Sequence, residues 1–63
     1  MIQREVWMLV ESIAIDRRIS EKWFRWIFTQ LHRPNLQNKM MKERLVLLRE
    51  IAIVETERDA KVH

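Results

Sequence analysis

Leu36 to Glu57, LQNKMMKERLVLLREIAIVETE, is the stretch on which the fold turns. Read as a helix at about 100° per residue, it carries two adjacent apolar seams. Leu36, Met40, Leu47, Ile51 and Val54 form one, and Met41, Leu45, Leu48 and Ala52 form the next, each with the 4-and-3 spacing of coiled-coil packing. A single partner helix covers one seam. Two seams therefore require at least two neighbours, from the same chain, from a second chain, or from both. Arg44 stands in line with Met40 and Leu47, where a charged side chain commonly sets register or pairs with a Glu across an interface. Val46 and Ile53 project to the outer side, and isolated apolar residues there need no special account.

The neighbours are sought upstream. Arg17 to Pro34, RRISEKWFRWIFTQLHRP, holds two of the three Trp and both Phe. Ile19, Trp23, Phe24, Trp26, Ile27 and Leu31 share one helical arc, and Arg18, Lys22, Arg25, Thr29 and Arg33 share the other. Phe28 projects among the cations, with Arg25 one turn before it and His32 one turn after. In that setting an aromatic ring either anchors a partner or stacks a base, or it is buried by a wide helix face. Pro34 ends this helix because it cannot continue the hydrogen-bond ladder and biases Arg33 away from helical angles. Asn35 then suits the N-cap of the next helix, and so short a connection makes the two helices antiparallel.

Further upstream, Ile2, Val6, Leu9, Val10, Ile13 and Ala14 lie on one side of a helix with Trp7 at its edge. Arg4, Glu5, Glu11 and Ser12 lie opposite, together with Met8 and Ile15. Between Asp16 and Ser20 the apolar arc slips by about 100°, one residue's worth of rotation. A break is expected there, with Ser20 or Asp16 as the cap of the second helix. The spacing thus predicts helices near residues 2–15, 20–32 and 36–57, one domain over residues 1–58, and a frayed tail over residues 59–63.

Composition narrows the class. The chain has 63 residues, no Gly, one Pro and no Cys. Without Gly, tight hairpin turns lose the residue that supplies positive φ, so an all-α fold is expected: a small helical hairpin or three-helix domain. A chain of this length buries only about 60% of its unfolded surface and needs a staple. Disulfides are excluded, and two His without Cys make a poor zinc site. Self-association remains, so the domain is expected to be completed as a dimeric helical bundle, a homodimer whose interface uses Met40, Arg44, Leu47, Leu48, Ile51 and Val54.

Charge is segregated. Nine bases and two acids lie between Arg17 and Arg49, whereas both ends of the chain are acidic, for a net charge of +3. In a hairpin turning at Pro34, Arg25, Arg33, Lys39 and Lys42 gather at the turn and the acids lie away from it. Such a dipole orients assembly or meets phosphates.

No glycine-rich phosphate loop, HExxH or paired-Cys motif exists, and Ser12, Ser20, Thr29 and Thr56 lack an evident base. Ala14, Ile19, Phe24 and Ile27 fall near the apolar positions of a helix-turn-helix. Arg17 and Arg18, however, occupy places that want an apolar residue and a Gly, and Trp23 and Trp26 stand where base-reading residues belong. No catalytic residue, cofactor, metal or small-molecule substrate is therefore expected. The longest apolar runs fall far short of the roughly 20 residues of a membrane span, and MIQREVW lacks signal-peptide grammar, so a cytoplasmic protein is expected. The expected function is a non-enzymatic regulator or adaptor acting through protein–protein association. The alternative is a nucleic-acid-binding regulator. In either case the contact residues are Arg17, Arg18, Lys22, Arg25, Phe28, Arg33, Lys39 and Lys42.

Overall fold

The computed structural model describes residues 4–31 and 38–62, with side chains from Met40 onward in the second stretch. It contains three helices, α1 (Arg4–Ala14), α2 (Glu21–Leu31) and α3 (Asn38–Val62), and no strand among the described residues. The all-α expectation holds. Of its two forms the structure takes the three-helix domain, since α1 and α2 both pack on α3.

The break falls where the apolar arc slips. Ile15 N donates to Glu11 O at 3.2 Å and Asp16 N to Ile13 O at 3.1 Å, closing α1. Ser20 caps α2: its carbonyl accepts the first helical bond from Phe24 N at 2.9 Å, and its Oγ accepts from Trp23 N at 3.4 Å. This satisfies a donor that the helix start would otherwise leave unpaired. Asp16, the other candidate cap, instead organises the loop. Its Oδ1 accepts from Arg18 N at 2.9 Å and Arg18 Nε at 3.0 Å, and its Oδ2 from Arg18 Nη2 at 2.7 Å.

That clamp has a pH signature. The Arg18 guanidinium and backbone N–H hold the Asp16 carboxyl down from 3.8 to about 2 by stabilising its charged form. Because the folded value lies below the unfolded one, the stabilisation is complete above about pH 4 and is lost as pH falls through about 2. A carboxyl-carbon NMR titration is expected to place the Asp16 midpoint near 2 and to return it toward 3.8 in Arg18→Gln. Equal midpoints in the two proteins would remove the clamp from the account.

Polar ties set the helix directions. Lys42, near the start of α3, pairs with Glu5 at the start of α1, so α1 runs parallel to α3. At the other end Ser20 N donates to Thr56 Oγ1 at 3.1 Å and Trp23 Nε1 to Asp59 Oδ2 at 2.8 Å. These bonds fasten the start of α2 beside the end of α3, so α2 runs antiparallel to α3, as the Pro34 connection predicts.

Between the helices lies one core of Val6, Val10, Ile13, Ile19, Ile27, Leu31, Leu45, Leu48 and Ala52. Val6, Ile27 and Leu45 have no exposed surface, and burying each contributes about 1.5–3 kcal/mol. Leu9, Trp23, Phe24, Trp26, Phe28, Met41 and Ile53 pack around it half-buried. The rings at the rim meet edge-on or tilted, with Trp23 to Trp26 at 5.5 Å and Trp7 to Phe28 at 6.2 Å between centroids.

Four expectations need correction. Ile53 is half-buried rather than on the outer side, because the α1–α2 loop reaches round α3 and Arg17 and Arg18 line a groove with it. Ala14 is exposed rather than core-facing, since α1 ends there. Residues 59–62 are helical rather than frayed: Asp59 is held by Trp23 and Lys22, and Lys61 sits in the last turn, where a cation suits the helix dipole. The charge dipole also fails. With α1 folded back parallel to α3, Glu5 lies at the basic end, and the start of α2 sets Lys22 at the acidic end, so the charges interleave. Ile2, His32, Arg33, Pro34, Asn35 and Leu36 lie outside the described residues.

Candidate functional site

α3 is apolar on more than one side, and its own chain covers only part of it. Leu45, Leu48 and Ala52 of one seam are buried against α1 and α2, with Met41 half-buried beside them. On the other seam Met40, Leu47, Ile51 and Val54 remain 50, 65, 45 and 52% exposed. Exposed apolar residues scattered singly are ordinary, whereas several along one helix edge make a candidate interaction surface. These four line up with Arg44 and Arg58 at intervals of four and three residues, which places them along one outward edge of the helix.

The gaps between its side chains are shallow and open. Met40, Glu43, Arg44, Leu47, Leu48 and Ile51 line a shallow groove of about 330 Å³. A second, of about 230 Å³, continues along Val54, Glu57, Arg58 and Lys61. Glu43, Glu50 and Glu57 recur every seven residues along the rim away from the core. Arg58 pairs with Glu55 at 3.3 Å and Lys61 with Glu57 at 3.4 Å. Arg44 and Glu43, at the opposite end of the stripe, make no ion pair with any described residue.

Five of the six expected interface residues, Met40, Arg44, Leu47, Ile51 and Val54, are brought together on this exposed edge. Leu48 is the exception: only 6% exposed, it is committed to the chain's own core, although its edge reaches the groove floor. Seam membership is a difference of one residue in helical phase, and Leu48 belongs with Leu45 and Ala52.

The basic contact set is dispersed. Arg18 is held by Asp16, Lys22 by Asp59 at 3.4 Å, Arg25 by Glu21 at 2.7 Å, and Lys42 by Glu5. Glu5 is held below the usual carboxylate range by its hydrogen bond to Lys42. Lys22 also lies 5.2 Å from the centre of the Trp23 ring, close enough for a cation–π contact. Arg17 is exposed and lines a groove beside Arg18, Ile53, Thr56 and Ala60. Phe28 packs half-buried against the core between Trp7 and Phe24, so its ring is not presented as a stacking platform. Arg33 and the side chain of Lys39 lie outside the described residues.

The hydroxyls serve structure. Thr56 Oγ1 donates to Ser20 Oγ at 3.4 Å, and Thr29 Oγ1 donates to Arg25 O at 3.0 Å. Among the described residues no three His, Cys, Asp or Glu side chains gather into a metal site, and no helix is long and apolar enough to cross a membrane. Comparison with family models, with curated proteins and with solved structures returns no match.

Proposed function

We propose that this protein is a non-enzymatic association module, a small regulator or adaptor whose working surface is the outward edge of α3. The observation that carries this reading is the exposed line of Met40, Leu47, Ile51 and Val54 beside the buried Leu45, Leu48 and Ala52 of the same helix. A helix laid along that line fills its grooves in the manner of helix-in-groove recognition. Leu47 and Ile51 are the central anchors, and the glutamates and Arg44 form a polar rim.

The alternative of nucleic-acid binding draws less support, because Arg18, Lys22, Arg25 and Lys42 each sit on a carboxylate. Paired cations neutralise fewer phosphates and release fewer counterions.

Site-specific photo-crosslinking in cells making the protein tests the docking reading. A benzophenone amino acid at Leu47 is expected to give discrete adducts mapped to a helical segment. The same probe at Ser12, exposed on α1, is expected to give none. Equal labelling from both positions, or none from Leu47, would overturn the assignment.

A further inference from the structure

We infer that the helix lying on this edge is α3 of a second copy, docked antiparallel, with Leu47 of one copy across from Ile51 of the other. The inference rests on the docking reading above and adds the partner and its orientation.

Charge along α3 is the argument. Residues 38–49 carry four bases and one acid, and residues 50–62 carry four acids and two bases. Two copies side by side in the same direction set basic half against basic half, with Arg44 facing Arg44 and Arg58 facing Arg58 across the stripe. Reversing one copy sets each basic half against an acidic half and opposes the two helix dipoles.

The same residues set the register. Antiparallel helices mesh most closely when Leu47 of each copy layers with Ile51 of the other, which brings Arg44 level with Val54 and Arg58 level with Met40. Side chains lean toward the N-terminus of their own helix. Arg44 therefore leans toward Glu57 of the other copy, and Arg58 toward Glu43. Arg44 and Glu43 are the two charged groups of the stripe with no ion pair among the described residues, and the second copy supplies an opposite charge to each. The next antiparallel register, one heptad along, sets Arg44 against Lys61 and Leu47 against Arg58, placing like charge on like and an arginine on an apolar anchor. In a chain of 63 residues without Cys, a second copy is also the remaining staple.

Two measurements test this. Sedimentation equilibrium on the intact protein is expected to show a monomer–dimer equilibrium in the micromolar range, shifted at least a hundredfold toward monomer in Leu47→Glu/Ile51→Glu. Both substituted residues lie outside the core, and the helical circular dichroism of the variant serves as the folding control. A nitroxide on Lys61→Cys, in a chain that has no other Cys, then reports direction by double electron–electron resonance. Antiparallel copies in this register place the two labels about 36 Å apart along the axis by the helical rise. Parallel copies place them within roughly two helix diameters, about 20–24 Å.

A dimer with the long separation supports the inference, and a dimer with the short one overturns the orientation. A protein that stays monomeric to millimolar concentration overturns the second copy. In that last case, adducts from Leu47 to another polypeptide would still uphold the docking reading, whereas the absence of any adduct would remove both.

Discussion

Leu45→Ala is expected to cost about 2–5 kcal/mol of folding stability, about half of what the domain has. Leu45 has no exposed surface and shares the core with Val6 and Ile27, so truncation leaves a cavity lined by all three helices that rigid neighbours only partly fill. A domain of 63 residues has roughly 3–9 kcal/mol of stability in all. Losing half of that shifts the folding equilibrium constant by orders of magnitude. Leu47, two residues further on and apolar to the same degree, is 65% exposed. Leu47→Ala is expected to change the stability of the monomer by no more than about 0.5 kcal/mol. Urea unfolding followed by circular dichroism, at concentrations where the protein is monomeric, checks both. Equal costs for the two substitutions would place the helical phase of α3 wrongly and, with it, the division of the helix into a covered seam and a free one.

That division is legible in the sequence because it depends on phase alone. Met41, Leu45 and Ala52 separate from Met40, Leu47 and Ile51 by one residue's rotation, and nothing beyond the sequence is needed to see that one neighbour leaves a seam open. The break before Ser20 is legible for a similar reason: the apolar arcs of α1 and α2 cannot lie on one straight rod. Which polar residue caps α2 is not. Ser20 and Asp16 both have the chemistry, and the choice depends on Arg18 folding back onto Asp16, a contact with no periodic signature.

The charge pattern misleads for a topological reason. Counting along the chain separates bases from acids, but α1 runs parallel to α3, so Glu5 meets Lys42, and the start of α2 lies beside the end of α3, so Lys22 meets Asp59. A hairpin of α2 and α3 alone already sets Lys22 among the acids of α3, and α1 then sets Glu5 among the bases. Phe28 changes its surroundings for the same reason. On α2 in isolation it stands among cations, but α1 brings Trp7 to within 6.2 Å of its ring. Helical projection assigns a residue to a side of its own helix, and only the neighbouring helix decides whether that side is covered. Along α3 itself the bases still precede the acids, and on the free stripe no described carboxylate pairs with Arg44.

Arg44→Leu is the substitution that turns this asymmetry into a measurement. It makes the stripe continuous from Met40 through residues 44, 47 and 51 to Val54, adding an apolar side chain at a position that self-association buries twice in each dimer. Each added leucine contributes about 1.5–3 kcal/mol if fully buried, against the loss of an Arg44–Glu57 pair that stays partly solvated and contributes at most about 1 kcal/mol. Self-association is therefore expected to tighten by about tenfold to a hundredfold, equivalent to about 1.4–2.8 kcal/mol. Selection of direction is expected to weaken in the same step, because a polar residue in a seam sets register and orientation at a cost in stability. With Arg44 gone, the penalty on the parallel pairing falls, and a Lys61→Cys label on the Arg44→Leu background should report a short separation alongside the long one. Sedimentation equilibrium reads the first effect and the distance distribution reads the second. Unchanged association and unchanged stability would mean that Arg44 faces only solvent and that the free edge of α3 is not where this protein meets its own kind. Tighter association with a single long separation would keep the interface and assign its direction to the opposed halves of α3 as a whole rather than to Arg44.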